Sequence, residues 1–135
     1  MRVVTGVVGN DVHVVANRLI EISLRDRGFE VFNLGVNTYL EEFIDAVIET
    51  DADLLLISSL NGEAEGWSRE LLFLKSRFDL DGVLFAIGGN LSVGEATAEE
   101  MIPKYKAYGY DLVFHQTDLN DGLDIIEKAM KDKAL

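Results

Sequence analysis

The segment Asp53–Ser59 constrains the fold more than any other part of the chain, because four consecutive residues in it, Leu54 to Ile57, are large and apolar. Successive side chains of an extended strand point to opposite faces, so this run is apolar on both faces. Such a strand is typical of the centre of a parallel sheet that helices cover on both sides. The sequence therefore predicts a layered α/β fold with this strand near its middle.

Apolar runs and segments of helical periodicity alternate along the rest of the chain. Four further strands are predicted, at Arg2–Val8, Phe29–Leu34, Gly82–Ile87 and Leu112–Phe114. Five helices are predicted, at about Asp11–Arg27, Tyr39–Thr50, Gly66–Phe78, Thr97–Tyr108 and Asp118–Lys131. Pro103 is expected to kink the fourth helix or to delay its start. Five β–α units predict a single domain, residues 1–135, with one doubly wound five-stranded parallel sheet of the Rossmann or flavodoxin type.

Charge and composition argue against several classes of function. The net charge is -12, from 24 acidic and 12 basic residues, whereas binding to nucleic-acid phosphates depends on lysine and arginine. The absence of cysteine excludes disulfides, zinc–thiolate sites and a cysteine nucleophile. No apolar stretch approaches the roughly 18 residues of a membrane span, and the N-terminus lacks the layout of a signal peptide. We expect a cytoplasmic protein that binds neither nucleic acid nor membrane.

The turns that follow the strands contain the candidate functional residues, because ligands of open α/β sheets bind beyond the carboxyl ends of the strands. These turns are Gly9–His13, Ser58–Gly62, Gly88–Asn90 and His115–Thr117. None of them contains a phosphate-binding glycine motif or the Gly-x-Ser-x-Gly turn of a nucleophilic serine.

Asp11 and His13 form the pair with the clearest chemical meaning. A carboxylate two residues from a histidine can accept a hydrogen bond from one ring nitrogen, which makes the other nitrogen a better metal ligand or base. The same pair is also typical of a helix start, with Asp11 as the N-cap and His13 in the first turn. The pair alone leaves both interpretations open.

Three motifs at strand ends together resemble a known family. Asp11-Val12-His13, Ser58-Ser59-Leu60 and Gly88-Gly89 occur in the order of the signature Asp-x-His-x-x-Gly, Ser-x-Leu, Gly-Gly of cobalamin-binding domains. The length and the segment 48–54 resemble the small, cobalamin-binding (sigma) subunits of glutamate mutase, also called methylaspartate mutase. The sequence departs from the signature at Ala16, which stands in place of a glycine. Its methyl group would narrow a binding slot, but in a helix it would be favoured over glycine by up to about 1 kcal/mol.

The resemblance implies a site for adenosylcobalamin. His13 is expected to displace the dimethylbenzimidazole of the cofactor and become the lower axial ligand of cobalt, with Asp11 hydrogen-bonded to its other nitrogen. Ser58 and Leu60 are expected to line a slot for the displaced nucleotide tail, between the first helix and the sheet. The Gly88-Gly89 pair would let the backbone approach the tail closely. Neighbouring residues expected to add contacts are Asn10, Val12, Val14, Ser59, Asn90, Leu91 and Ser92.

The activity implied by the resemblance is a radical rearrangement of the carbon skeleton that interconverts glutamate and 3-methylaspartate. In the family the substrate lies in a larger, barrel-type catalytic subunit. This chain is therefore expected to contain no catalytic residue, to be inactive alone and to form a heterotetramer with that subunit. The alternatives are a corrinoid carrier protein for methyl transfer and a sensor or binding module with the same fold. The carrier is less favoured because carriers usually have a helical cap domain before this fold, and the first strand begins at residue 2.

Several other residues have candidate roles. His115 is expected to be a loop histidine without a special role. Trp67 is equally suited to anchor a partner and to pack on its own sheet. Tyr105, Tyr108 and Tyr110 are expected to pack against the sheet.

Overall fold

The computed structural model describes residues 1–9, 14–59, 64–91 and 97–134. One parallel sheet contains the strands in the order β2-β1-β3-β4-β5, which confirms the predicted doubly wound fold. The strands are β1 (Arg2–Val7), β2 (Glu30–Asn33), β3 (Leu54–Ser59), β4 (Leu84–Gly89) and β5 (Leu112–His115). The helices are α1 (Val14–Asp26), α2 (Leu40–Thr50), α3 (Ala64–Ser68), α4 (Leu71–Arg77), α5 (Ala98–Tyr108) and α6 (Leu119–Ala134).

Strand β3 lies at the centre of the sheet, paired with β1 on one side and β4 on the other. All six of its residues are buried. Leu55 and Ile57 pack into the core on the face covered by α2, α3, α4 and α5. Leu54 and Leu56 pack into the core on the opposite face, which α1 and α6 cover. The run that is apolar on both faces therefore joins two cores.

The predicted helix Gly66–Phe78 is wrong in one respect, because the chain forms two short helices there, α3 and α4. The hydroxyl of Ser68 donates a hydrogen bond to the carbonyl oxygen of Ala64 at 2.8 Å and pairs with the Tyr110 hydroxyl at 2.7 Å. Such back-bonding to the i−4 carbonyl favours a bend. Glu70 then has φ -93° and ψ 2°, outside the helical range.

Pro103 does not delay α5, which begins at Ala98. Thr97 caps this helix, since its side chain accepts a hydrogen bond from the Glu100 amide. Met101 and Tyr105 anchor it in the core. The cap and this buried face set the start of the helix despite the cost of an interior proline. Within the described part of the chain, no helix is long and apolar enough to cross a membrane.

Candidate functional site

The carboxyl ends of four neighbouring strands meet at one edge of the sheet. Val7 of β1 pairs with Ser58 of β3, and Ser58 pairs with Gly88 of β4. Gly89 pairs in turn with His115 of β5. The predicted site residues outside the described part of the chain are Asn10, Asp11, Val12, His13, Leu60 and Ser92.

A cavity of about 230 Å³ opens at this edge, on the face covered by α1 and α6. Residues of four strands form its floor, and the two helices form its sides. Its lining is almost entirely apolar. The slot expected between the first helix and the sheet thus has α6 as a further wall.

Three of the predicted site residues, Ser58, Gly88 and Gly89, line this cavity. The other predicted residues that the structure describes are not among its lining residues. They are Val14, which is 61% exposed in the first turn of α1, and Ser59, Asn90 and Leu91, which lie at the carboxyl edge.

Gly88 has no packing requirement of its own in the protein. A Cβ atom at this position would be 3.6 Å from the Cβ of Phe114, its nearest neighbour, which is an ordinary van der Waals distance. The missing side chain instead leaves space in the cavity. Gly89 differs, because its φ of 118° lies in a region that favours glycine.

Ala16 is both helical and part of the cavity wall. The helix preference of alanine and the narrowing of the slot by its methyl group therefore both apply at this position. The methyl group favours α1 over the glycine of the family signature, and it occupies part of the space between α1 and the sheet.

The size and lining of the cavity fit a flat, largely apolar ring system. An apolar cavity of about 150 Å³ is enough to bind benzene, so about 230 Å³ has room for two fused rings such as dimethylbenzimidazole. The side-chain oxygens of Ser59 and Asn90, at the same edge, are buried and have no hydrogen-bond partner among the described residues. An unpaired buried oxygen costs free energy, but neither residue lines the cavity, and Ser59, two residues after Ile57 in β3, faces the side of α2, α3, α4 and α5. The polar residues of the lining itself are Ser58, Thr117 and Asp118. The described residues thus fit a nucleotide tail.

β5 and α6 contribute a wall of the cavity that was not predicted from the sequence. Phe114 lines the cavity, as do four residues of α6, which are Leu119, Gly122, Leu123 and Ile126. Glycine is unfavourable in a helix interior, so Gly122 was a signal in the sequence that this helix approaches something closely.

His115 is not a loop residue, contrary to expectation. It is the last residue of β5, and only 4% of it is exposed. Its Nδ1 accepts a hydrogen bond from the Leu91 amide at 3.1 Å. This bond ties the end of β5 to the segment that follows β4.

The tyrosines pack as predicted. Tyr105 and Tyr110 are buried in the core against the sheet, with Tyr108 partly buried beside them. The Tyr105 hydroxyl donates to the Leu91 carbonyl at 2.9 Å. Burial raises the pKa of the Tyr105 and Tyr110 phenols well above their usual range, so both stay neutral hydrogen-bonding groups.

Trp67 packs on its own sheet, where it is half-buried. Its ring lies against Gly9, and its centroid is 5.0 Å from that of the Tyr39 ring. These contacts account for its packing role, and its role as a partner anchor stays a hypothesis.

Comparisons with known proteins identify relatives of this chain. The B12 binding domain family matches residues 1–119. The glutamate mutase sigma subunit of Carboxydothermus hydrogenoformans is 45% identical over 114 residues, which are 84% of this chain and 83% of that protein. The glutamate mutase sigma subunit 2 of Haloarcula marismortui is 39% identical over 130 residues, 93% of this chain and 84% of that protein. The crystal structure of a cobalamin-binding protein from Desulfitobacterium hafniense DCB-2 matches 94% of this chain and 57% of its own with a TM-score of 0.76. At 23% identity, that match shows a shared fold.

Proposed function

This chain belongs to the glutamate mutase sigma subunits of the B12-binding domain family, and from that premise we propose that it holds adenosylcobalamin through His13. As such a subunit it binds cobalamin and works as part of an isomerase complex with a catalytic subunit. The reaction is the interconversion of glutamate and 3-methylaspartate.

The observation that carries the proposal is the cavity beside the carboxyl ends of β1, β3 and β4. The Asp11-x-His13 segment follows β1 directly, and Ser58 and Gly88 line the cavity. A cofactor bound at this edge of the sheet would place its nucleotide tail in the cavity, close in the chain to the segment that contains His13.

The residues of this chain divide the work of binding. His13 would bind the cobalt, and Asp11 would accept a hydrogen bond from the other ring nitrogen of His13, which would fix its tautomer. Ser58 and Leu60 would flank the nucleotide tail, and the Gly88-Gly89 backbone would allow it to approach closely. Smaller contacts come from Asn10, Val12, Val14, Ser59, Asn90, Leu91 and Ser92.

The chemical step depends on both subunits. Bound adenosylcobalamin supplies the carbon-centred radical that starts the rearrangement. This chain orients the cofactor and excludes water from the tail, since the cavity is apolar. The turns after its strands contain no arginine to bind the carboxylates of glutamate, so the substrate contacts fall to the catalytic subunit.

The assembly proposed for this chain has three features. The catalytic subunit is a larger barrel, two copies of each chain form a heterotetramer, and the complex is cytoplasmic. The family membership supports a separate catalytic subunit.

The test is reconstitution with a glutamate mutase catalytic subunit, adenosylcobalamin and glutamate, with 3-methylaspartate measured by NMR. The wild-type chain is expected to be active only with its partner, and His13→Ala to lower kcat/KM by about 100-fold or more. Full activity of His13→Ala would contradict the assigned ligand. Inactivity of wild-type chain with adenosylcobalamin, together with methyl transfer from methylcobalamin, would replace the mutase with a corrinoid carrier.

A further inference from the structure

Trp67 and Gly9 are in direct contact at the point where the chain enters the segment that contains His13. A Cβ atom at Gly9 would lie 2.6 Å from Cε2 and 2.7 Å from Cδ1 of the Trp67 indole. Real Cβ atoms essentially never approach so closely. Gly9 also has a φ of 69°, a conformation that glycine adopts readily. The indole and the turn therefore fit only because position 9 has no side chain.

Hydrogen bonds to Thr38 on one side and to Ser58 on the other fix the backbone from Val7 to Gly9. The Gly9 amide donates to the Thr38 carbonyl at 2.7 Å, and the Thr38 amide donates to the Val7 carbonyl at 3.0 Å. The Val8 amide donates to the Ser58 carbonyl at 3.1 Å. The indole covers the last residue of this fixed stretch.

Trp67 is itself fixed, although α3 has only five residues and such a short helix is unstable alone. Glu65 accepts hydrogen bonds from Lys104 at 2.7 Å and from the Tyr108 hydroxyl at 2.9 Å. The Ser68–Tyr110 pair forms a second link at 2.7 Å. These hydrogen bonds join α3 to α5 and to Tyr110, which lies two residues after the end of α5. The helix that contains Trp67 is therefore rigidly supported.

The indole acts from the face of the sheet opposite the cavity. It packs against the core of the α2, α3, α4 and α5 face, whereas the cavity lies under α1 and α6. A cavity ligand would therefore be influenced by Trp67 through the backbone of the β1–α1 connection.

We propose that Trp67 is a positioning residue for the cobalt ligand: by covering Gly9 it fixes the left-handed turn from which the His13 segment departs. The inference rests on the proposed function, because His13 is taken as the ligand. Trp67, on the face of the sheet opposite the cavity, would thus influence the fraction of bound corrinoid in which His13 ligates the cobalt.

The first measurement needs no cofactor. Amide hydrogen exchange of Gly9 reports directly on its bond to Thr38. Trp67→Ala is expected to lower the protection of this amide by about tenfold or more, while Trp67→Phe retains most of it. Phe73→Ala is the matched control, because Phe73 lies in α4 and is 62% exposed. Equal protection in Trp67→Ala and Phe73→Ala would overturn the proposal.

The second measurement identifies the nitrogen ligand of the cobalt in bound cob(II)alamin. Protein labelled with ¹⁵N-histidine is saturated with cob(II)alamin, and the nitrogen splitting in its electron paramagnetic resonance spectrum gives the fraction ligated by histidine. Trp67→Ala is expected to lower the fraction with a histidine nitrogen, with Trp67→Phe close to wild type. A purely structural role would leave that fraction unchanged and so overturn the proposal.

Gly9→Ala disrupts the same contact, because its methyl group would clash with the Trp67 indole. This variant replaces Trp67→Ala in the experiment if Trp67→Ala does not fold. It is expected to lower the histidine-ligated fraction as well, and a Gly9→Ala protein with the wild-type fraction would overturn the proposal. A wild-type chain that bound no corrinoid would instead contradict the proposed function, and the exchange experiment would still decide whether Trp67 fixes the turn.

Discussion

The two faces of the sheet are built differently. On the face of α2, α3, α4 and α5, large side chains such as Phe43, Leu71 and Tyr105 are completely buried. On the other face, α1 is described over its whole length and buries only Asn17 and Leu24. Four large apolar side chains of α1 are at least 44% exposed, namely Val14, Val15, Leu19 and Ile22.

Polar contacts partly replace apolar burial under α1. The Asn17 amide group donates to Asn33 at 3.1 Å, and Asn33 donates to Glu21 at 2.8 Å. Arg25 donates to the Val31 carbonyl at 2.9 Å. Both faces have a buried core, but the face of α1 and α6, where Leu24, Leu123 and Ile126 are buried, also leaves room for a ligand at its carboxyl end. The same sheet serves both purposes because its strands are apolar on both faces.

The largest expected effect is a difference in the free energy of unfolding between two leucine-to-alanine substitutions, one on each face of the sheet. Leu71→Ala on the packed face should lower the free energy of unfolding by about 3 kcal/mol or more, because it leaves a cavity in a closed core. Leu19→Ala, at a residue that is 54% exposed beside the cavity, should cost about 1 kcal/mol or less. Urea denaturation measures both, and equal losses would refute the difference between the faces.

Gly88 tests whether the cavity exists for a ligand. Gly88→Val should leave the fold intact but weaken adenosylcobalamin binding by about tenfold or more, or about 1.4 kcal/mol, because the side chain fills the tail site. Binding of cobinamide, which has no nucleotide tail, should change little. Gly82→Ala, with no atom within 4 Å of the new methyl group, is the control. If Gly88→Val weakened the binding of adenosylcobalamin and cobinamide equally, the nucleotide tail would not occupy the cavity.

Gly122→Ala should separate stability from binding by changing them in opposite directions. Alanine in α6 is expected to raise the free energy of unfolding by up to about 1 kcal/mol, while its methyl group enters the cavity that Gly122 lines and weakens cobalamin binding. Asn120→Ala, at an exposed position of the same helix, should not weaken binding. Binding unchanged in Gly122→Ala would show that the ligand does not reach α6.

The smallest effect concerns Glu65 on the packed face. Hydrogen bonds from Lys104 and Tyr108 hold its pKa below the usual 4.5. A lowered carboxylate pKa stabilises the fold above the unfolded value, and this contribution is lost as the pH falls through the folded value. Because the pair is partly exposed, Glu65→Gln should cost about 0.2–1 kcal/mol at neutral pH. The difference from wild type should shrink below pH 4.5, and a difference that grew on acidification would contradict this account.

Local patterns sufficed to predict the sheet. The run Leu54–Ile57 identified the central strand, and the rule for carboxyl ends identified the edge at which Ser58, Gly88 and Gly89 meet. The first inference depends on four consecutive residues, and the second depends on the few residues that end each strand.

Long-range packing was what the sequence did not reveal. Phe114 and α6 form a wall of the cavity, and which face a closing helix covers depends on the whole topology. Ser68, at the end of α3, also pairs with the Tyr110 hydroxyl, 42 residues away in the chain. His115 likewise has a distant partner, since it accepts a hydrogen bond from the Leu91 amide, 24 residues earlier in the chain.

The most direct test of the central claim is the electron paramagnetic resonance spectrum of the wild-type chain with cob(II)alamin, with and without ¹⁵N-histidine labelling. The chain has two histidines, so His13→Ala and His115→Asn, which retains an acceptor for the Leu91 amide, assign the signal. The account predicts nitrogen splitting that changes on histidine labelling, disappears in His13→Ala and persists in His115→Asn. Splitting that histidine labelling leaves unchanged would mean that benzimidazole still binds cobalt, and it would contradict the account.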